Sequence, residues 1–124
     1  MCLVQRSATD LPDVTEAYKC FIKKEKGYLN SSFVYVYQPR RRWLTANPYT
    51  GGNLPYKGGF HCFLRKEDAI KERDWNKNYR EDYYKEVVHR VLVKNIFLKG
   101  VYRGMEEDSQ SIVCEQIYIM EEIV

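Results

Sequence analysis

The side chains best suited to chemistry are few and scattered. Only two histidines occur among the 124 residues, His61 and His89. His61 lies between Phe60 and Cys62, just after Gly58-Gly59 and just before a polar stretch, so a loop leads through a strand to the rim of a site. His89 shares a strand face with Val87, Val91 and Val93, the usual setting of a hydrogen-bonded core imidazole. The four cysteines, Cys2, Cys20, Cys62 and Cys114, are widely spaced and contain no Cys-x-x-Cys pair. That excludes the zinc-ribbon and thioredoxin patterns. Histidine and cysteine thus supply ligand types without ligand spacing, and neither a metal nor a cofactor is expected. His61 and Cys62 are adjacent, which points them to opposite faces of a strand and separates thiolate from base. Removal of Met1 would leave Cys2 with a free amine beside its thiol, as in N-terminal-nucleophile enzymes, but nothing else in the chain resembles them. Neither Gly51-Gly52 nor Gly58-Gly59 belongs to a phosphate-binding or dinucleotide-binding glycine pattern.

A second constellation suits binding better than catalysis. Arg40, Arg41, Arg42 and Trp43 run consecutively, flanked by Tyr35, Tyr37, Tyr49 and Tyr56. Arginine offers charge and planar stacking, and aromatic rings offer platforms for bases or peptide planes. The candidate binding set is therefore Arg40, Arg41, Arg42, Trp43, Tyr49 and Tyr56. The plain alternative is a solvated turn whose Trp43 packs inward. Tyrosine is abundant, 11 against 5 Phe and 2 Trp, which fits strands and contact surfaces. Charge is uneven: residues 106–124 hold six acidic and no basic side chains, leaving 20 basic against 11 acidic in 1–105. The acidic end suits folding back on the basic body or facing a second copy, and the body itself reads as an ordinary mixed surface, with a face for a polyanion as the alternative.

These residues are held by a strand-rich pattern. Residues 1–16 read as an irregular lead-in. Ala17–Lys23 alternates, with Tyr18, Cys20 and Ile22 expected inward and Lys19 and Lys23 outward. Residues 33–37 and 43–46 follow as short strands, and 47–59, with four Gly and two Pro, reads as a long mobile loop. Residues 60–64 form a compact strand, and 66–80 a polar helix whose first turn is acidic, as the macrodipole favours. Residues 86–94, a short strand near 101–103, and 113–124 complete the set. The expected core is Tyr18, Cys20, Ile22, Phe33, Tyr35, Phe60, Cys62, Val87, Val91, Val93, Ile117 and Ile119. The pattern predicts an α+β fold: one domain, a curved, mostly antiparallel sheet of six or seven strands, and one main helix. No apolar run is long enough to span a membrane, and no secretory leader is visible, so a cytoplasmic protein with reduced thiols is expected.

The ordered set Met1-Cys2-Leu3, Tyr18-Lys19, Gly27-Tyr28-Leu29-Asn30-Ser31, Tyr56-Lys57-Gly58-Gly59-Phe60-His61 and Asp68-Ala69 resembles a group of small uncharacterised proteins of phages and gut bacteria. The likeness spans nearly the whole chain through short motifs that carry no known chemistry. It implies a phage or mobile-element setting, either the host cytoplasm or association with the virion. Separately, Gly59-Phe60-His61-Cys62-Phe63 followed by a helix around Ala69 is similar to a strand–helix unit of ADP-ribosyltransferases. That resemblance implies an NAD-binding enzyme in which Glu115 takes the late catalytic position, with His61 and Tyr18 contacting sugar or amide. Lys19 departs from the family's usual residue, and the spacing to Glu115 is loose. The leading expectation is a non-enzymatic protein-binding or structural module that docks on another protein chain or on itself, with nucleic acid as an alternative partner through Arg40–Arg42 and with no membrane.

Overall fold

The computed structural model describes residues 3–7, 11–23, 29–31, 41–46, 58–79, 85–102 and 109–123. In chain order these form β1 (Leu3–Ser7), β2 (Val14–Lys23), β3 (Leu29–Ser31), β4 (Trp43–Thr45), β5 (Phe60–Phe63), α1 (Lys66–Tyr79), β6 (Lys85–Tyr102) and β7 (Ser111–Glu122). The α+β class holds, with one helix among the described residues and every strand pairing antiparallel.

The organising element is β6, an 18-residue strand whose first half is rich in β-branched Val87, Val88, Val91 and Val93. One edge pairs with β2 from Lys23↔Lys85 to Val14↔Lys94, and further along with β1 from Ser7↔Lys99 to Leu3↔Tyr102. Its other edge pairs with β7 from His89↔Glu122 to Gly100↔Ser111. The far edge of β7 carries β5, from Phe63↔Ser111 to Phe60↔Cys114, and then β4, from Thr45↔Gln116 to Trp43↔Tyr118. A single pair, Tyr18↔Phe63, joins β5 back to β2. The pairings β2–β6–β7–β5–β2 therefore form a closed circuit, a small barrel. A bulge accommodates the bending of β6: Ile96 faces Cys114 and Leu98 faces Val113, which leaves Phe97 extra. Asn95, just before it, takes a left-handed backbone (φ 56°), a conformation that asparagine tolerates better than most residues.

The circuit gives the sheet two dry faces. Inside lie Ala17, Phe21, Cys62, Val87, Val91, Val93, Ile112, Cys114, Ile117 and Ile119. Outside, at one end, Cys20, Phe63, Val88 and Val113 pack beneath Ala69 of α1. Each fully buried Ile or Val here contributes roughly 1.5–3 kcal/mol of transfer free energy. The helix is anchored at its start, where Asp68 is 1% exposed and accepts from Nε and Nη2 of Arg65 at 3.0 and 3.1 Å. Asp68 also accepts from the Gln110 backbone N–H at 3.1 Å, which ties α1 to the entry of β7.

This second dry face corrects the expected pattern of β2. Cys20 and Ile22 are buried as expected, but Ala17, Lys19 and Phe21 on the opposite face are buried too, because the barrel interior receives them. Tyr18 and Phe60, expected in the core, are only partly covered. Val87, Val91, Val93, Cys62, Ile117 and Ile119 are core residues as expected. The irregular lead-in is also corrected. Leu3–Ser7 forms β1, which covers an edge of β6 that would otherwise present unpaired backbone groups, and β2 already begins at Val14. The short strand expected near 101–103 is the end of β6. Phe33, Tyr35 and residues 47–57 of the expected loop lie outside the described residues.

Candidate functional site

Register builds the site. Trp43 pairs with Tyr118, Tyr118 with Leu92, and Leu92 with Glu16, a row that crosses β4, β7, β6 and β2. Two residues along, Thr45, Gln116, Lys94 and Val14 form a parallel row. Between them runs Leu44–Ile117–Val93–Thr15, of which Leu44, Ile117 and Val93 are buried. Side chains alternate across a strand, so the two flanking rows share the outer face of the sheet, at the end away from Ala69 and its partners. They are correspondingly wet: Glu16 and Thr45 are exposed, Val14 is 47% exposed, and Trp43, Tyr118, Leu92, Lys94 and Gln116 are partly exposed.

The centre of this face is aromatic and cationic. The Lys94 ammonium sits 4.1 Å from the centroid of the Trp43 ring, and Trp43 meets Tyr118 edge-on at 5.8 Å and 61°. The cation–π contact contributes about 0.5–1 kcal/mol at such a surface site. It also holds a positive charge over an apolar ring. Gln116 donates to Thr45 Oγ1 at 3.3 Å and accepts from Asn95 at 3.4 Å, which stiffens the second row. Exposed Arg41, left-handed at φ 62°, and exposed Arg42 stand immediately before Trp43. Neighbouring Arg90 bridges Glu121, at 2.7 and 3.0 Å, and Glu16, at 3.3 Å. The Arg90 guanidinium holds the Glu121 carboxyl below its ordinary value, and Glu121 in turn raises Arg90.

Of the residues expected to bind, Trp43 lies on this face and Arg41 and Arg42 are exposed immediately before it in the chain, while Arg40, Tyr49 and Tyr56 lie outside the described residues. Lys94 and Tyr118 were not singled out by sequence reasoning. Each looks like an ordinary strand residue, and only the pairing of β4 with β7 and β7 with β6 puts them beside Trp43.

The residues of the transferase-like reading have separate partners. Tyr18 donates to Glu16 at 3.0 Å, and burial, then that bond, raises its pKa. The His61 carbonyl accepts from the Lys19 ammonium at 2.9 Å. Burial first, and then the Lys19 charge, pushes the His61 imidazole down to about 3, so it is neutral at ordinary pH. The Glu115 carbonyl accepts from the Ala46 N–H at 2.8 Å, beside β4. His89 is 1% exposed, with Nδ1 2.9 Å from the Met120 carbonyl and its ring edge-on to Phe21 at 5.6 Å, a core histidine. No cluster of three or more metal-ligating side chains occurs among the described residues. None of their helices is long and apolar enough to cross a membrane. Comparison of the chain with protein-family models, curated proteins and solved structures returned no match.

Proposed function

We propose that the protein is a non-enzymatic binding module, of the phage or mobile-element kind its motifs resemble, which docks another protein chain on the open end of its sheet. The observation that carries this reading is the Trp43–Lys94–Tyr118 group at the centre of two half-exposed rows, with Arg41 and Arg42 beside it. Aromatic and arginine side chains dominate binding energy in protein interfaces, where flat rings lose little conformational freedom on contact. The test is site-specific photocrosslinking in the cells that make the protein. A crosslinking residue at Tyr118 or Thr45 should yield a discrete protein adduct that Trp43→Ala abolishes, and one at exposed Lys71 of α1 should not. Equal adducts at all three positions, or none at Tyr118 and Thr45, would overturn the proposal.

Exposed Arg41 and Arg42 next to an aromatic floor also favour a second reading, in which single-stranded nucleic acid stacks on Trp43. Its signature is a gel shift that weakens steeply with salt and whose salt slope falls in Arg41→Ala/Arg42→Ala. A shift absent at low ionic strength removes this reading and leaves the first intact. The transferase-like reading draws no support from the separate partners of Tyr18, His61 and Glu115.

A further inference from the structure

The charges around the Trp43 face bear on what kind of chain it receives. Elsewhere, Lys23 is matched by Glu122, Arg65 by Asp68, Arg73 by Asp74, and Arg90 by Glu16 and Glu121. Among the described residues, Lys94, Arg41 and Arg42 have no carboxylate partner. Lys94 instead holds its ammonium 4.1 Å from the centroid of the Trp43 ring. The ring attracts the charge and leaves N–H donors of the ammonium available to an oxygen acceptor. It also fixes a flexible stem, so less freedom is lost when an anion arrives. Arg41 and Arg42, exposed immediately before Trp43, add guanidinium forks of the shape that carboxylates fill bidentately. The two rows also carry apolar surface, at partly exposed Leu92 and at Val14, 47% exposed. The positive charge does not extend across the sheet. The Trp43 row ends in exposed Glu16, and Arg90 is already engaged by Glu16 and Glu121. A polynucleotide needs a basic groove that tracks its backbone, whereas a short basic patch beside apolar side chains suits a short acidic segment of protein.

We propose that the chain docked on this face presents an acidic segment, whose carboxylates pair with Lys94, Arg41 and Arg42 and whose neighbouring apolar side chain packs along Leu92 and Val14. This rests on the docking reading above and adds the chemistry of the partner. Val14 is the register partner of Lys94, so a carboxylate that reaches the ammonium lies between an apolar side chain and the Trp43 ring. Its charge-assisted hydrogen bond is less screened there than on an open surface. Glu16 gives the face a direction. A carboxylate laid at that end meets like charge, so the acidic residues of the segment lie toward β4 and the apolar ones toward β2.

The test places a photocrosslinking residue at Thr45, in the cells that make the protein, and maps by mass which stretch of the partner is joined to it. The expected stretch holds a cluster of Asp or Glu next to a branched aliphatic or aromatic residue. Lys94→Met, which keeps an apolar stem beside Trp43 and removes the charge, should lower the adduct yield roughly tenfold, and Lys94→Glu should abolish it. Lysine in place of the mapped carboxylates should restore the adduct to Lys94→Glu. Lys71→Met, on α1, should leave the yield unchanged. Should a variant fold poorly, the stretch mapped with Lys94 intact decides by itself. A discrete, Trp43-dependent adduct whose mapped stretch lacks carboxylates, or whose yield is the same in Lys94→Glu, would overturn the proposal and leave the docking reading standing. An adduct that nuclease removes would overturn it in favour of nucleic acid. No adduct at Thr45 or Tyr118 would overturn both.

Discussion

His61 should make the protein acid-sensitive in a defined window. Its imidazole is held near 3 in the folded state, against about 6.5 for an ordinary histidine, chiefly by burial and then by the Lys19 ammonium. Between those values the unfolded chain binds a proton that the folded chain refuses, so stability falls as pH falls through the window and levels off below about 3. The slope for one group is about 1.4 kcal/mol per pH unit. From pH 7 to pH 5 the expected loss is therefore about 2 kcal/mol, an upper value because the ring retains some solvent contact. Glu121, lowered by its hydrogen bond to Arg90, drives the same trend at still lower pH. The assay is urea unfolding at pH 7 and pH 5 for the unaltered protein and for His61→Gln. The glutamine variant should lose about 2 kcal/mol less between the two pH values, whatever its stability at pH 7. Parallel losses in the two proteins would refute the reasoning, because they would show that His61 titrates alike in both states.

Asp68→Ala should cost about 2 kcal/mol in chemical denaturation, because it removes the charge-assisted hydrogen bonds by which the buried carboxylate ties the start of α1 to Arg65 and to the Gln110 N–H. Arg90→Ala should leave the urea unfolding midpoint essentially unchanged, since its ion pairs are solvent-exposed. Gly59→Ala should destabilise by roughly 1–3 kcal/mol in thermal melts, as its Cβ must displace both the Cys114 carbonyl and the Val113 side chain. Ile117→Ala should cost about 2–5 kcal/mol by the cavity it leaves among fully buried neighbours.

The sequence carried the elements better than their relations. The valine-rich start of β6, the helix from Lys66 with its acidic first turn, and the terminal strand β7 are local signals, and they are where they were expected, although β6 runs on past the expected 86–94 to Tyr102. Lys19 shows where local signals stop. Alternation divides β2 into two faces but does not say whether one or both are dry, and here barrel closure buries one while α1 covers part of the other. β1 carried no comparable signal, because it pairs with residues almost a hundred positions away. The same distance hid the candidate surface. Trp43 and its arginines stood out as a run, whereas Lys94 and Tyr118 join them only through register.

The central position of β6 has a consequence for how the chain assembles. β1 and β2 lie at the beginning of the sequence, yet the strand they need is not made until residues 85–102. During synthesis they must wait for it, and contacts closed over such long stretches are slow to form. β6 and β7, adjacent in sequence and paired along most of their length, are the natural seed. The earlier strands then dock onto a hairpin that already exists. The Trp43 face draws on both groups, so it exists only once the last-made strand has gathered the first.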